Sequence, residues 1–256
     1  MTADWTALDA ELAAWDQASL TLPLWWRDDD AVEATPALDQ LSEMAGRLGV
    51  PVHLAIIPAY VQKSLVTAIA ARPLSPMVHG WSHHNHAPEG QKRSEYPDRR
   101  PLEERVDEVT ESLAILTGLF GDALCPVFVP PWNRITPDLV AELPAIGFTG
   151  LSTFTPRDSA TAAPGLTRIN THLDPIAWQD RKSLIDPDML ISQVARQLAD
   201  RRTGVADNAE PYGILTHHLV HDSGIWAFTE QLISRLMRGP AIAWIAPKQG
   251  LRHEPT

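Results

Sequence analysis

The chain has 256 residues, 44% hydrophobic and 21% charged, a globular composition with enough length for one large core. Its formal net charge of −11 argues against non-specific binding to nucleic acid or to an anionic membrane, both of which need basic surfaces. A single cysteine, Cys125, excludes a disulfide framework and a cysteine-rich zinc site, and reads as a small buried hydrophobe.

From the N-terminus, residues 1–20 carry alternating acids and no basic region ahead of an apolar run, so no secretory signal is expected. No stretch approaches the roughly 20 apolar residues of a membrane span, and a cytoplasmic protein is the expectation. Asp4–Ala18 reads as a helix, Leu22–Trp26 as a strand and Pro36–Leu48 as a helix. Strand Val52–Ile57, helix Ala59–Ala71, strand Met77–His79 and helix Leu102–Leu119 follow. Then come strand Val127–Val129, helix Pro137–Ile146 and strands Phe148–Ser152 and Leu166–Asn170. Helix Pro187–Asp200, strand Gly213–His217, helix Ile225–Met237 and strand Ala241–Ile245 complete the series. Pro36, Pro137 and Pro187 stand at first helical positions, with Thr35, Thr136 and Asp186 before them as caps. Gly49, Gly121 and Gly147 mark helix ends. Ala87–Pro101 and Thr155–Gly165 are polar and read as exposed loops, either of which has the length of a lid.

Strands alternating with helices imply a parallel sheet with helices outside, and seven or eight such units favour a closed or nearly closed barrel. One domain is expected over 1–256, with a helix in 1–20 and the barrel over about 22–245. Chemistry in such a barrel belongs at the C-terminal ends of the strands.

Three clusters follow strands there. Asp28-Asp29-Asp30 places three carboxylates side by side, which need a compensating charge; a cation and a solvated helix-capping turn both supply one. His79-Gly80-Trp81-Ser82-His83-His84-Asn85-His86 holds four of the ten histidines. His79 and His83 are four apart, which suits two imidazoles converging on one metal. One aspartate with these two leaves a coordination position open. That donor set suits zinc, and also cobalt, nickel or iron, better than calcium or magnesium. In the third cluster, His217, His218 and His221 end an apolar run, where a histidine can protonate a leaving group. Pro130-Pro131-Trp132-Asn133-Arg134 makes a stiff loop, and Asp174 precedes Trp178 by four. Trp81, Trp132 and Trp178, among nine tryptophans, fall in the loops of this site, where their faces can stack on sugar rings.

Together these residues resemble a divergent branch of the polysaccharide deacetylase superfamily, over nearly the whole span from Leu22 to Ile245. The counterparts of its five motifs are Asp29-Asp30, His79-Gly80-Trp81-Ser82-His83, Val129-Pro130-Pro131-Trp132-Asn133, Asp174 with Trp178, and Ile214-Leu215-Thr216-His217. The first two are specific together; the others are weak alone. The resemblance implies an α/β fold, a deformed (β/α) barrel of about seven strands. It implies a metal-dependent hydrolase removing an N-acetyl or similar acyl group from a carbohydrate. Asp30, His79 and His83 would hold one divalent metal, Asp29 would act as general base and His217 as general acid, and Asp174 would orient His217. Trp81, Pro131, Trp132, Asn133, Arg134 and Trp178 would line the substrate site. Two departures stand out: Gly80 replaces a Ser or Thr, and Val129 replaces the arginine that orients the base, for which Arg134 and Arg27 are the candidate replacements. The Asp register admits Asp28-Asp29 as well. The competing readings are a C–N hydrolase of a small cytoplasmic amide or ureide, and a non-catalytic carbohydrate-binding protein that keeps the metal site. No nucleic-acid or membrane partner is expected, and a homo-oligomer is compatible with the sequence.

Overall fold

A computed structural model describes residues 3–70, 72–179 and 181–247. Seven helices pack around a sheet: α1 (Thr6–Gln17), α2 (Pro36–Leu48), α3 (Lys63–Ile69), α4 (Leu102–Phe120), α5 (Pro137–Ile146), α6 (Pro187–Arg202) and α7 (Ser223–Arg238). The strands are β1 (Leu22–Ala31), β2 (Val52–Ile56), β3 (Leu74–His79), β4 (Val127–Val129), β5 (Gly150–Leu151), β6 (Thr161–Ala163), β7 (Leu166–Arg168), β8 (Ile176–Ala177), β9 (Ser183–Leu184), β10 (Tyr212–Thr216) and β11 (Ala241–Ala243).

The sheet runs β10-β1-β2-β3-β4-β5-β7, parallel throughout. Beyond β7 the chain continues extended, and Leu173 pairs with Ile214 of β10. His172 N donates to Gly213 O at 2.7 Å and Leu215 N to Leu173 O at 2.8 Å. This short seam brings the last segment back to the first edge and closes a barrel of seven parallel strands, the architecture expected. β11 lies beside the start of β1, β6 pairs antiparallel with β7, and β8 and β9 form a separate hairpin.

Local chemistry sets the helix ends. Thr35 Oγ1 accepts from Leu38 N, Asp186 caps Asp188 N and Met189 N, and Asp222 caps Ile225 N, starting α7 two residues earlier than predicted. Gly49 at φ 68° closes α2 in the left-handed region, where a side chain is disfavoured. Thr136 holds the N-cap position of α5, but its side chain caps no amide; its hydroxyl accepts from the buried Arg105, which also pairs with Asp138.

Several expectations need correction. The helix expected over Ala59–Ala71 is a 3-10 turn, Pro58–Tyr60, followed by α3, because Val61 and Gln62 are extended and Gln62 N is tied to Val32 O at 2.8 Å; Ala71 lies outside the described residues. Most importantly, β1 does not stop at Trp26. Pairing on both sides (Arg27 with Leu215 and His53, Asp28 with Thr216 and Leu54) carries the acidic triplet into the strand itself. The supposed exposed loop Ala87–Pro101 buries Ser94, Glu95 and Tyr96, and Thr155–Gly165 contributes β6.

Alternation along β1 sorts its side chains. Leu22, Leu24 and Trp26 join the large core between sheet and helices, while Trp25 belongs to a smaller cluster with Ala55, Met77, Cys125, Val127, Val129 and Ile169. That cluster draws on strand after strand around the ring, so it fills the barrel interior.

Candidate metal and catalytic site

The period of two that points Trp25 into the barrel points Arg27 and Asp29 the same way, with Asp28 on the opposite face. By the same rule Asp30 would face outward. A register shift between Asp28 and Ala31 and a φ of 76° at Asp30 break the alternation and turn Asp30 to the barrel mouth. There it meets His79, the last residue of β3, and His83, four residues on. His79 Nε2 lies 3.1 Å and His83 Nε2 3.3 Å from Asp30 Oδ1, and one ligand atom from each of the three residues falls within 4.8 Å of the others.

The donor set fits a divalent ion of the zinc type. His79 Nδ1 faces the Val129 carbonyl oxygen at 2.9 Å, so Nδ1 carries the proton and Nε2 is presented to the site. Burial raises the pKa of Asp30, but His79, His217 and His83 outweigh it and hold the carboxyl well below its ordinary range. Burial also depresses His79, while the charges of Asp29 and Asp30 overcome this and raise it. His83 is lowered, by burial and by His79. Two imidazoles drawn to one permanently charged carboxylate are groups a cation would satisfy. Of the triplet it is Asp30 that meets the two histidines, and Asp28 faces elsewhere. Asp28 is fully buried, accepts from Thr216 Oγ1 and His218 N, and pairs with His218 Nδ1.

Asp29 lies beside the three and is almost fully buried. Arg27, two residues earlier on the same face of β1, sets its Nε 2.9 Å from Asp29 Oδ1 and donates from Nη2 to Oδ2 at 3.0 Å. Arg27 is itself held by Ser152 Oγ at 2.7 Å, Thr153 O at 3.3 Å and Asn133 Oδ1 at 2.7 Å. Of the two arginines expected to serve here, Arg27 is the one that reaches Asp29. Arg134 is turned away, donating to Arg93 O at 2.8 Å.

Across the mouth, His217 follows directly on the end of β10. Its ring meets Trp178 edge-on, with centroids 4.6 Å apart, and its Nδ1 is buried without a hydrogen-bond partner among the described residues. Trp178 Nε1 donates to Asp174 Oδ2 at 2.7 Å. Burial pushes the Asp174 carboxyl up, against the pull of nearby His217; among the described residues Asp174 makes no direct hydrogen bond to His217, and Trp178 stands between them in contact with both. His218 is taken by Asp28. His221 packs on Trp226, accepts from His217 N at 3.3 Å, and is pushed down to about 4, chiefly by burial. Of the three histidines His217 is the one left facing the site.

The loop residues divide. Trp132 sets its ring 4.3 Å from His83, Trp178 is 43% exposed at the rim, and Trp81 is half-buried. Pro131 is buried against Gly80, and Asn133 is committed to Arg27. Four non-glycine residues with positive φ, Asp30, His83, Trp132 and Asn133, gather at this one mouth. Such backbone strain persists where surrounding structure enforces it, and it clusters at functional sites. The sequence did not point to Glu95, Ser152 or the Asp28–His218 pair. Ser152 ends a predicted strand, and that was the one available signal.

Solved structures share this arrangement of elements. A peptidoglycan N-acetylglucosamine deacetylase superposes with a TM-score of 0.54 at 16% identity, over 86% of this chain and 85% of its own. This is the fold of the polysaccharide deacetylases. The peptidoglycan deacetylase PdaC from Bacillus subtilis gives 0.52 at 15% identity, over 87% of each chain. A mutant of a carbohydrate esterase family 4 pseudoenzyme with restored activity gives 0.52 at 14%, over 87% of this chain and 65% of its own. By sequence, no family model and no curated protein matches. Among the described residues no helix is long and apolar enough to cross a membrane.

Proposed function

We propose that this protein is a metal-dependent hydrolase that removes an N-acetyl or similar acyl group from a carbohydrate. The observation carrying the proposal is the convergence, at the C-terminal ends of β1, β3 and β10, of a metal-type triad (Asp30, His79, His83), an arginine-held carboxylate (Asp29) and an imidazole left facing the site (His217). A divalent ion held by Asp30, His79 and His83 would supply Lewis acidity for the acyl oxygen and for a water. Asp29 takes the proton from the attacking water, and Arg27 keeps that carboxylate oriented. His217 gives a proton to the amine nitrogen as the C–N bond breaks. Trp178 and Trp132 form walls against which a sugar ring can stack. Asp174 positions His217 indirectly, through Trp178 and by its charge. Zinc is the ion we favour, and a cytoplasmic site of action belongs to the same reading.

The competing reading, a non-catalytic protein, draws on the arginine absent at Val129; Arg27, in contact with Asp29, offsets that loss. Metal content by mass spectrometry, on wild type and on His79→Ala/His83→Ala, tests the site. About one transition metal per chain in wild type and none in the double variant is expected, with turnover of N-acetylated chito-oligosaccharides abolished by chelator. A wild type that neither carries nor takes up zinc or cobalt would remove the hydrolase mechanism. Metal binding with turnover only of small amides or ureides would move the substrate class.

A further inference from the structure

The turn that carries His83 toward His79 is held by a residue far from any motif. Glu95 lies on the long segment between β3 and α4 and is fully buried. Its Oε2 accepts from Trp81 N at 3.1 Å, and its Oε1 accepts from Ser82 N at 2.7 Å and from Ser82 Oγ at 3.1 Å. Among the described residues no cation pairs with the carboxylate, so backbone amides and one hydroxyl carry the solvation of a buried charge. Such a group is costly to bury, and these three donors all belong to the three-residue link between two metal-type ligands.

Gly80 shows the same fit from the other side. A Cβ built there would stand 2.1 Å from Glu95 Oε2 and 2.6 Å from Pro131 Cδ, and Gly80 has φ 57°. The side chain that the resembling motif places after its first histidine is therefore excluded by Glu95 and Pro131. The segment bearing Glu95 is anchored on its own account. Asn85 Oδ1 accepts from Ala87 N and Ser94 N, His86 N donates to Ser94 O, and Arg100, paired with Glu108, donates to Glu95 O.

We infer that Glu95 is a positioning residue for the metal ligands, fixing the turn over residues 80–83 and hence the placement of His83 against His79 and Asp30. The inference rests on the metal reading above. Partners that orient metal ligands carry about 10–100-fold in metal affinity when removed. The test is chelator competition for zinc, with the absorption spectrum of the cobalt-loaded protein, on wild type, Glu95→Ala and Glu95→Gln. Glu95→Ala should bind zinc about 10–100-fold more weakly and change the cobalt spectrum. Glu95→Gln keeps the shape but loses one acceptor, and should lose roughly 2–10-fold. If Glu95→Ala does not fold, Glu95→Gln carries the test. A folded variant with wild-type affinity and an unchanged cobalt spectrum overturns the inference, even if its melting temperature falls. A wild type that takes up neither metal overturns the functional reading, and this inference with it.

Discussion

Two buried arginine–carboxylate clusters sit on this barrel, and they are finished differently. At the mouth, Asp29 has Arg27 as its sole hydrogen-bonding partner among the described residues. At the seam that closes the barrel, Glu210 is saturated. Oε1 accepts from Asn170 N at 3.0 Å, Oε2 accepts from Arg157 N at 3.0 Å and faces His172 Nε2 at 3.0 Å, and Arg201 Nη2 lies 3.5 Å away. His172 Nδ1 in turn accepts from Gly213 N at 2.9 Å, beside the β10 pairing that completes the ring. A carboxylate with its lone pairs filled by backbone and charged donors can only hold structure together. One gripped from a single side keeps capacity for a proton. The same residue types thus serve closure in one place and, on our reading, catalysis in the other.

The largest effect should come from the less saturated cluster. Asp29→Asn keeps the shape and removes the base, so kcat should fall about 10²–10⁴-fold with metal content unchanged. Activity retained in that variant would place Asp29 with Glu210 as structural. Next, Glu210→Gln leaves the buried Arg201 facing a neutral group and should lower stability by about 3 kcal/mol in denaturant unfolding, with zinc affinity unaltered. Loss of metal binding in a folded Glu210→Gln protein would join the two regions that the comparison separates.

The smallest effect is in pH. Burial, with Arg201, holds His172 below its ordinary value against the pull of Glu210. Burial raises Glu210, but His172 and the backbone donors bring it below its own. Both shifts have one sign. The unfolded chain takes up protons first, so this stability is complete above the ordinary imidazole value of 6.5 and drains as pH falls. His218 behaves oppositely: burial lowers it, Asp28 overrides this and raises it, and its contribution is full below 6.5 and lost as pH rises. Melting temperature against pH should therefore fall less on acidification in His172→Gln than in wild type, and less on alkalinisation in His218→Gln. Parallel curves for all three proteins would contradict these assignments.

Much was legible before the structure. The helix starts at Pro36 and Pro187 and the stop at Gly49 were readable because caps, prolines and left-handed glycines act within a few residues. Asp30, His79 and His83 were readable because four-residue spacing at a strand end is also local. The extent of β1 was not. Charged residues end a strand in a sequence reading, and here pairing on both flanks carries them into the sheet. The short strands β6, β8 and β9 escaped for a related reason, since two or three residues owe their conformation to neighbours distant in the chain.

What the sequence determined by itself is a barrel-forming alternation of strands and helices, and a supply of carboxylates and imidazoles at strand ends. What the tertiary structure decided is which of them meet. The bulge at Asp30 turns that carboxylate to the two histidines, Arg27 grips Asp29, and Asp28 leaves His217 as the histidine facing the site by occupying His218. Glu95 reaches back to the turn between two histidines. Each of these choices depends on atoms brought within about 3 Å by folding, across separations in the chain that no local pattern encodes.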